Sequence, residues 1–242
     1  MRRGMTILVT GSSRGIGAAI HAAFTACGTP VLGHATSTSG ERVAADLDQP
    51  GAAAVLWQAA LDRLGSIDVL VNNAGVFEPN PLDGDDADWL AGWERTMRIN
   101  LTASAELCRL AVLHWQVRGA KGDKRGGRIV NVASRAAYRG DSPAHWHYAA
   151  SKAGMVAMTK TIARAYAAEG ILAFAICPGF TMTGMAEDYL ASRGGDKLLA
   201  DIPLGRVAMP EEVAEMVRWC ALDAPASMTG AVLDVNGASY VR

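Results

Sequence analysis

A short apolar strand that runs into a glycine turn and then a helix is the feature that most constrains this chain. Thr6–Val9 reads as the strand, Thr10-Gly11-Ser12-Ser13-Arg14-Gly15-Ile16-Gly17 as the turn, and Ile16–Cys27 as the helix. Glycines permit a tight reversal and let backbone N–H groups approach a pyrophosphate, which then rests on the positive end of the helix. A glycine-rich turn alone is weak evidence, but the strand before it and the helix after it favour a dinucleotide site over a plain turn. Gly11, Ser13, Arg14, Ile16 and Gly17 are the candidate contacts.

Beyond the turn, apolar runs alternate with helical stretches, the pattern of a parallel sheet with helices on both faces. Pro30–Gly33, Val69–Val71, Arg128–Val132, Leu172–Ile176 and Val232–Val235 read as strands, and Glu94–Arg118, Tyr148–Ala168 and Pro210–Leu222 as helices. No repeat or linker divides the chain. A single α/β domain over residues 1–242, a doubly wound, Rossmann-like parallel sheet, is expected. The stretch Thr36–Leu64 is unusual. The favoured reading has a third strand at Val43–Leu47 and a helix from Pro50 to Leu64, capped by Gln49 or Asp48. The second crossover is then only Thr36–Arg42, too short for an ordinary helix. One broken helix over Glu41–Leu64 is the rival, and Pro50-Gly51 counts against it.

A net charge of −1 gives no reason to expect a nucleic-acid partner. Cys27, Cys108, Cys177 and Cys220 are scattered without metal-ligand spacing, so no metal site is expected and the thiols read as reduced core residues of a cytoplasmic protein. Met1-Arg2-Arg3 precedes an apolar stretch, Met5–Val9, that is too short for a signal, and no run is long enough to span a membrane. The cluster of charge and glycine over Arg118–Arg128 reads as a solvated loop.

The glycines stand at 11, 15 and 17, and this T-G-x-x-x-G-I-G form resembles the short-chain dehydrogenase/reductase family. Asn72-Asn73-Ala74-Gly75 is similar to that family's N-N-A-G motif, which implies that Asn73, Ala74 and Gly75 line the cofactor cleft. Asp46-Leu47, 26 residues before Asn72, resembles the acidic-aliphatic pair beside the adenine. An NAD site usually ends its second strand on an acid that holds the ribose 2′-hydroxyl. Here Leu32-Gly33-His34-Ala35-Thr36-Ser37 has none, and Ala35 fills the place. Thr36 and Ser37 can donate to a 2′-phosphate, and Arg14 adds a charge that NADP-using members often carry; Arg42 could join them. NADP(H) is expected over NAD(H).

Tyr148 and Lys152 stand at i and i+4 of a helix, on one face. A free phenol has a pKa near about 10, and a neighbouring ammonium favours phenolate. A lone Tyr-x-x-x-Lys is common surface chemistry, but here it lies in His147-Tyr148-Ala149-Ala150-Ser151-Lys152-Ala153-Gly154, similar to the family's Y-A-A-S-K-A-G segment. The resemblance implies that Tyr148 is the acid/base, that Lys152 tunes it and holds the nicotinamide ribose, that Ser134 polarises the substrate carbonyl, and that Asn100 holds a water on the proton path. Ser134 lies 14 residues before Tyr148, one more than the commonest family spacing. Pro178, Gly179, Thr181 and Thr183 resemble the loop that holds the carboxamide, and Asp234-Val235-Asn236-Gly237 a structural strand motif.

A loop from Gly184 to Arg206 is expected to cover the substrate, with Met182, Met185, Tyr189 and Leu190 as its apolar lining. That suits a small or medium carbonyl compound or alcohol. His145-Trp146-His147 would flank the mouth, although a surface or core role is the ordinary one for either histidine. The glycine turn and Gly33–Ser37 look most like 3-oxoacyl-carrier-protein reductases. Arg125 could supply one basic contact to an acyl carrier protein, but Glu169 stands where the second is expected. An NAD-linked sugar, polyol or steroid dehydrogenase and a non-catalytic cofactor-binding regulator are the alternatives. The resemblance also implies a homodimer or homotetramer.

Overall fold

The computed structural model describes residues 4–37, 41–123, 125–183 and 195–241. In chain order these form β1 (Ile7–Val9), α1 (Gly15–Ala26), β2 (Val31–Ala35), β3 (Val43–Ala44), α2 (Ala52–Leu64), β4 (Val69–Asn72), α3 (Asp86–Met97), α4 (Ala103–Ala120), β5 (Gly127–Val132), α5 (Ala136–Arg139), α6 (Trp146–Tyr166), β6 (Ile171–Pro178), α7 (Gly195–Ala200), α8 (Pro210–Leu222) and β7 (Val232–Val235). The seven strands make one parallel sheet in the order β3-β2-β1-β4-β5-β6-β7. The order reverses between β1 and β4, and in open sheets the crevice at that switch point takes the ligand.

β1, β4, β5 and β6 are buried along their whole length, as a sheet covered on both faces requires. On one face Leu8, Leu70 and Ile129 pack with Leu56 and Trp57 of α2 and Leu107, Ala111 and Trp115 of α4. On the other, Ile7, Val9, Val71 and Phe174 pack with Ile20 and Phe24 of α1 and Val213 and Val217 of α8. No helix among the described residues is long and apolar enough to cross a membrane.

The third strand is present, in the register His34↔Val43 and Ala35↔Ala44, so the link from β2 has seven residues, 36–42. Two expectations about this region change. β3 stops at Ala44 rather than Leu47, because Asp46 folds the chain into a turn: its Oδ1 accepts from Asp48 N at 3.1 Å, and Gln49 N donates to Asp46 O. The helix after it begins at Ala52 rather than Pro50, and neither Gln49 nor Asp48 caps it. Gly51 does, at φ 80°, a left-handed conformation that suits glycine.

The helix expected over Glu94–Arg118 runs in three pieces. It starts at Asp86, where Asp85 Oδ1 accepts from Ala87 N at 2.8 Å, and Asp86 and Asp88 complement the positive helix end. A π-helical turn, Arg98–Thr102, then joins α3 to α4. The apolar periodicity marked only the buried part, and the polar first turn carried no such signal.

The segment Arg118–Arg128 is solvated only in its middle, where 119–122 and 125 are exposed; its ends are tied into the fold. Arg118 Nη1 donates to Asp68 Oδ1 at 2.6 Å and to Ser66 Oγ at 2.8 Å, and Nη2 to Gly126 O at 2.8 Å. Arg128 is buried within β5 and donates to Cys220 O at 2.8 Å. Guanidinium groups that read as surface charge thus tie the N-terminal end of the sheet together. Cys108 and Cys220 are unpaired thiols, and burial pushes each up to about 12.

Candidate active site

The glycine turn and the loop after β4 are fastened together at the switch point. Thr10 Oγ1 accepts from Asn73 N and Ala74 N, both at 3.0 Å, and Asn73 Nδ2 donates to Thr10 O at 3.1 Å and Gly11 O at 3.0 Å. Gly11 takes φ 63°, and a Cβ there would stand 2.8 Å from Ala74 Cα. A Cβ on Gly17 would land on Gly11 O and the Asn73 amide. The glycines therefore let the turn and the start of α1 pack directly against the loop after β4, an approach that a side chain at either position would block.

The N-terminus of α1 suits an anion. Its cap, Arg14, makes no side-chain cap bond, and the first turn contains no acid. Ser13 and Arg14 are exposed beside it, and Ile16 packs into the core below. Across the cleft, Thr183 Cγ2 lies 3.2 Å from the place a Cβ on Gly15 would take, so the loop after β6 faces the turn. Pro178 ends β6. Gly179 N donates to Val235 O, and a Cβ on Gly179 would meet Asn236 Cα at 2.8 Å. Thr181 is buried and bridged to Ala208. Thr36 and Ser37 are exposed just past the end of β2, and Ala35 is buried. Leu47 belongs to the core of the α2–α4 face, and Asp46 is exposed with one oxygen engaged by its own turn. These residues fit a dinucleotide whose pyrophosphate would rest on the glycine turn.

The four residues expected to act on the substrate converge at the C-terminal ends of β4 and β5. Ser134 follows β5, and its Oγ accepts from Ala136 N at 3.1 Å. Tyr148 and Lys152 lie one turn apart on α6, with Lys152 Nζ 5.8 Å from the phenol ring centroid. Lys152 is buried and donates to Val132 O at 2.9 Å. Asn100 sits in the π-helical turn. Its Oδ1 accepts from Val76 N at 2.8 Å, and its Nδ2 donates to Val76 O at 3.0 Å and Ser151 Oγ at 3.3 Å. A Cβ on Gly75 would stand 3.2 Å from Asn100 Oδ1 and 3.6 Å from Lys152 Nζ. The Asn100 side chain thus fixes the loop after β4 to α6, and its backbone carbonyl accepts from Ser104 Oγ at 3.3 Å.

Burial sets the titration of the pair. It pushes the Tyr148 phenol up to about 12, against a hydrogen bond with Ser134 that favours ionisation. It pushes the Lys152 ammonium down to about 8, with Cys177 opposing. Without a bound cofactor the phenol keeps its proton throughout the neutral range.

An aromatic wall stands beside the phenol, in which His145 and His147, expected at the mouth, are joined by Phe77 and Trp93, which sequence reasoning did not find. Phe77 packs edge-on against Tyr148 with centroids 4.8 Å apart, and His145 stacks on Phe77 at 3.9 Å. His145 Nδ1 is 2.6 Å from Ser142 Oγ, and Trp93 lies 6.5 Å from the buried His147 ring. Burial lowers both histidines, so the wall is uncharged at neutral pH. Phe77 comes two residues after Gly75, and that position was its only signal. Of the expected lining, Met182 is half-buried and donates its N–H to Ala208 O, whereas Met185, Tyr189 and Leu190 lie outside the described residues.

Known proteins resemble this chain along nearly its whole length. Residues 11–238 match a family described as enoyl-(acyl carrier protein) reductase. The 3-oxoacyl-[acyl-carrier-protein] reductase of Vibrio cholerae is 35% identical over 250 residues, covering 98% of each chain. The one from Synechocystis is 36% identical, covering 95% of this chain and 94% of its own. A ligand-free aldohexose dehydrogenase of Thermoplasma acidophilum superposes with a TM-score of 0.86 at 26% identity, over 99% of this chain and 95% of that one.

Proposed function

This chain belongs to the short-chain dehydrogenase/reductase family, and from that premise we propose that it is an NADP(H)-dependent reductase of ketones, 3-oxoacyl thioesters above all. The observation that carries the reading is the convergence of Ser134, Tyr148, Lys152 and Asn100 beside a glycine turn shaped for a dinucleotide. Bound nicotinamide supplies the hydride. Ser134 Oγ and the Tyr148 hydroxyl hold the carbonyl oxygen, and Tyr148 gives it the proton as negative charge grows there. Lys152 holds the ribose and keeps a positive charge near the phenol. Asn100, locked on Val76, fixes the distance between the loop after β4 and α6. In the oxidative direction the phenolate takes the alcohol proton.

Arg14, Thr36 and Ser37 would receive the 2′-phosphate. Arg14→Ala is expected to weaken NADPH binding about tenfold and leave NADH binding unchanged, the loss of one charge-assisted contact. Fluorescence titration with both nucleotides checks this, and equal losses for both would remove Arg14 from the phosphate site.

The proposal concerns the thioester and not a carrier-protein footprint. Arg125 is exposed but bound to Asp123 at 2.7 Å, and Glu169, engaged by Gln116 at 3.0 Å, presents an acid where a second base is expected. Leu113 and Val117 are exposed on α4, which favours a homodimer or homotetramer through α4 and α6. The unpaired thiols suit a cytoplasmic setting.

The deciding experiment measures NADPH oxidation with acetoacetyl and crotonyl thioesters, a panel of sugars and cyclic ketones, and NADH in parallel. Turnover of the acetoacetyl thioester with NADPH supports the proposal. Turnover of the crotonyl thioester alone would move the activity to the double bond, as the description of the matching family suggests. Tight NADPH binding with no turnover would indicate a regulator.

A further inference from the structure

His34 is a buried imidazole that joins three separate pieces of the cofactor end of the sheet. Only 2% of it is exposed. Its Nδ1 accepts from Gly11 N at 3.1 Å, and its Nε2 lies 2.8 Å from Ala45 O. Its own carbonyl accepts from Ser12 N at 2.8 Å and from Ser12 Oγ at 3.3 Å. One residue of β2 thereby holds two consecutive residues of the glycine turn and the first residue past β3. Both nitrogens are satisfied by only one state. The Gly11 N–H needs an acceptor and the Ala45 carbonyl needs a donor, so the ring is neutral with its proton on Nε2.

The need for such a clamp follows from the connection. A parallel crossover ordinarily takes a dozen or more residues with a helix that packs its strands in place. Here β2 reaches β3 in seven residues, and β3 is a two-residue edge strand. On the far side of β2, His21 of α1 and Arg42 of the link close in over Gly33; each lies 3.2 Å from where a Cβ there would stand. His34 occupies the opposite side, between the turn and the residues after β3.

We propose that His34 is a positioning residue of the dinucleotide site: its neutral imidazole sets the glycine turn against β2 and β3, and protonating it releases the turn and weakens cofactor binding. This rests on the cofactor reading given above. A protonated ring carries N–H on both nitrogens and would aim one of them at the Gly11 N–H, exchanging an attraction for a repulsion.

The sign follows from the surroundings. Burial lowers His34 from the ordinary 6.5, the Ala45 carbonyl opposes, and no charged group contributes. The neutral form therefore predominates above 6.5, and the clamp fails only as pH falls through the lowered pKa of the buried ring. Other groups on the neighbouring elements are Arg14 of the turn, Glu41 and Arg42 of the link, Asp46 and Asp48 after β3, and His21 of α1. His21 is itself lowered, by burial and then by Arg42, with Glu41 opposing. Asp48 is paired with Arg95 and Arg98. A pH effect on the unaltered protein alone would thus leave His21 as a rival.

The experiment separates them. NADPH and NADH affinities are measured by fluorescence titration from pH 8 to pH 5 on the full chain, His34→Asn, His34→Leu and His21→Asn, with melting temperatures alongside. Asparagine carries an acceptor where Nδ1 stands and does not titrate. The unaltered chain should lose about tenfold in affinity for both nucleotides by pH 5, the worth of about one buried hydrogen bond. His34→Asn, which loses the donor to Ala45 O, should bind about threefold more weakly at pH 8 and show less than half of that acid loss on a logarithmic scale. His21→Asn should keep it. His34→Leu should bind poorly at every pH, and if it does not fold, His34→Asn decides. An equal acid loss in the unaltered chain and His34→Asn overturns the proposal, as does affinity that stays level to pH 5. Absence of nucleotide binding at pH 8 would instead sink the cofactor assignment, and this inference with it.

Discussion

Tyr148→Phe is expected to lower turnover about 10³-fold, within the span that a positioned acid/base contributes, while NADPH affinity stays within about threefold. Only the hydroxyl is lost. The ring keeps its edge contact with Phe77 at 4.8 Å, and the Ser134 Oγ contact with Ala136 N is unaffected. The loss should fall on kcat rather than KM, because the proton moves only as the carbonyl oxygen becomes charged. The pH profile of the unaltered protein carries a second signature. Burial pushes Tyr148 up to about 12, so the acid needed for reduction is present throughout the neutral range. Lys152, pushed down to about 8, loses its charge first. Reduction should therefore stay level from about pH 6 and decline above about pH 8, reporting the amine and not the phenol. Steady-state kinetics at several pH values checks both statements. Turnover of the phenylalanine variant within tenfold of the unaltered protein would remove Tyr148 from the chemistry.

Asp68→Ala is expected to cost about 3 kcal/mol of folding stability, at the low end of what breaking a buried ion pair costs. Asp68 Oδ2 accepts from Thr6 N at 3.0 Å and Thr6 Oγ1 at 3.2 Å, and Oδ1 accepts from Arg118. Removing it leaves a guanidinium only 12% exposed with Asp123, 3.3 Å from Nε, as its remaining carboxylate, and frees the start of β1. A domain of ordinary stability, roughly 5–15 kcal/mol, would feel that strongly. The double variant Asp68→Leu with Arg118→Met should recover much of the loss, since the cost lies in the abandoned charge. Urea unfolding followed by tryptophan fluorescence measures it, and Trp115, which donates to Ile67 O at 2.7 Å, reports from the same region. Activity of the folded variant at low temperature should be unchanged, because Asp68 lies at the opposite end of the strands from Tyr148. A cost below about 1 kcal/mol would show the pair to be effectively solvated.

What the sequence disclosed was whatever depends on neighbours along the chain. Tyr148 and Lys152 stand one helical turn apart, and the strand, turn and helix around Gly11–Gly17 are contiguous, so spacing alone indicates their geometry. Ser134 and Asn100 were reached through their flanking motifs. What stayed hidden depends on partners far apart in sequence or on a backbone angle. Arg118 looked like surface charge because Asp68 lies 50 residues away. Phe77 and Trp93 complete a wall with His145 and His147, and no periodicity links them to those histidines. The cap at Gly51 needs φ 80°, which the flanking Gln49-Pro50 does not announce. His34 read as one member of a strand end, and its ring became informative only when Gly11 and Ala45 were seen on either side of it.

The seven-residue link between β2 and β3 also bears on how the chain folds. Closing a loop costs entropy that grows with the logarithm of its length, by about 0.6 kcal/mol for each doubling, so this pairing is among the entropically cheapest contacts a parallel sheet can form. The same brevity leaves β3 with little of its own to lose. The edge strand can come and go as a small local unit while β1, β4, β5 and β6 stay paired, so the proposed cofactor cleft would rest, at its Thr36 and Asp46 end, on the most easily opened part of the sheet.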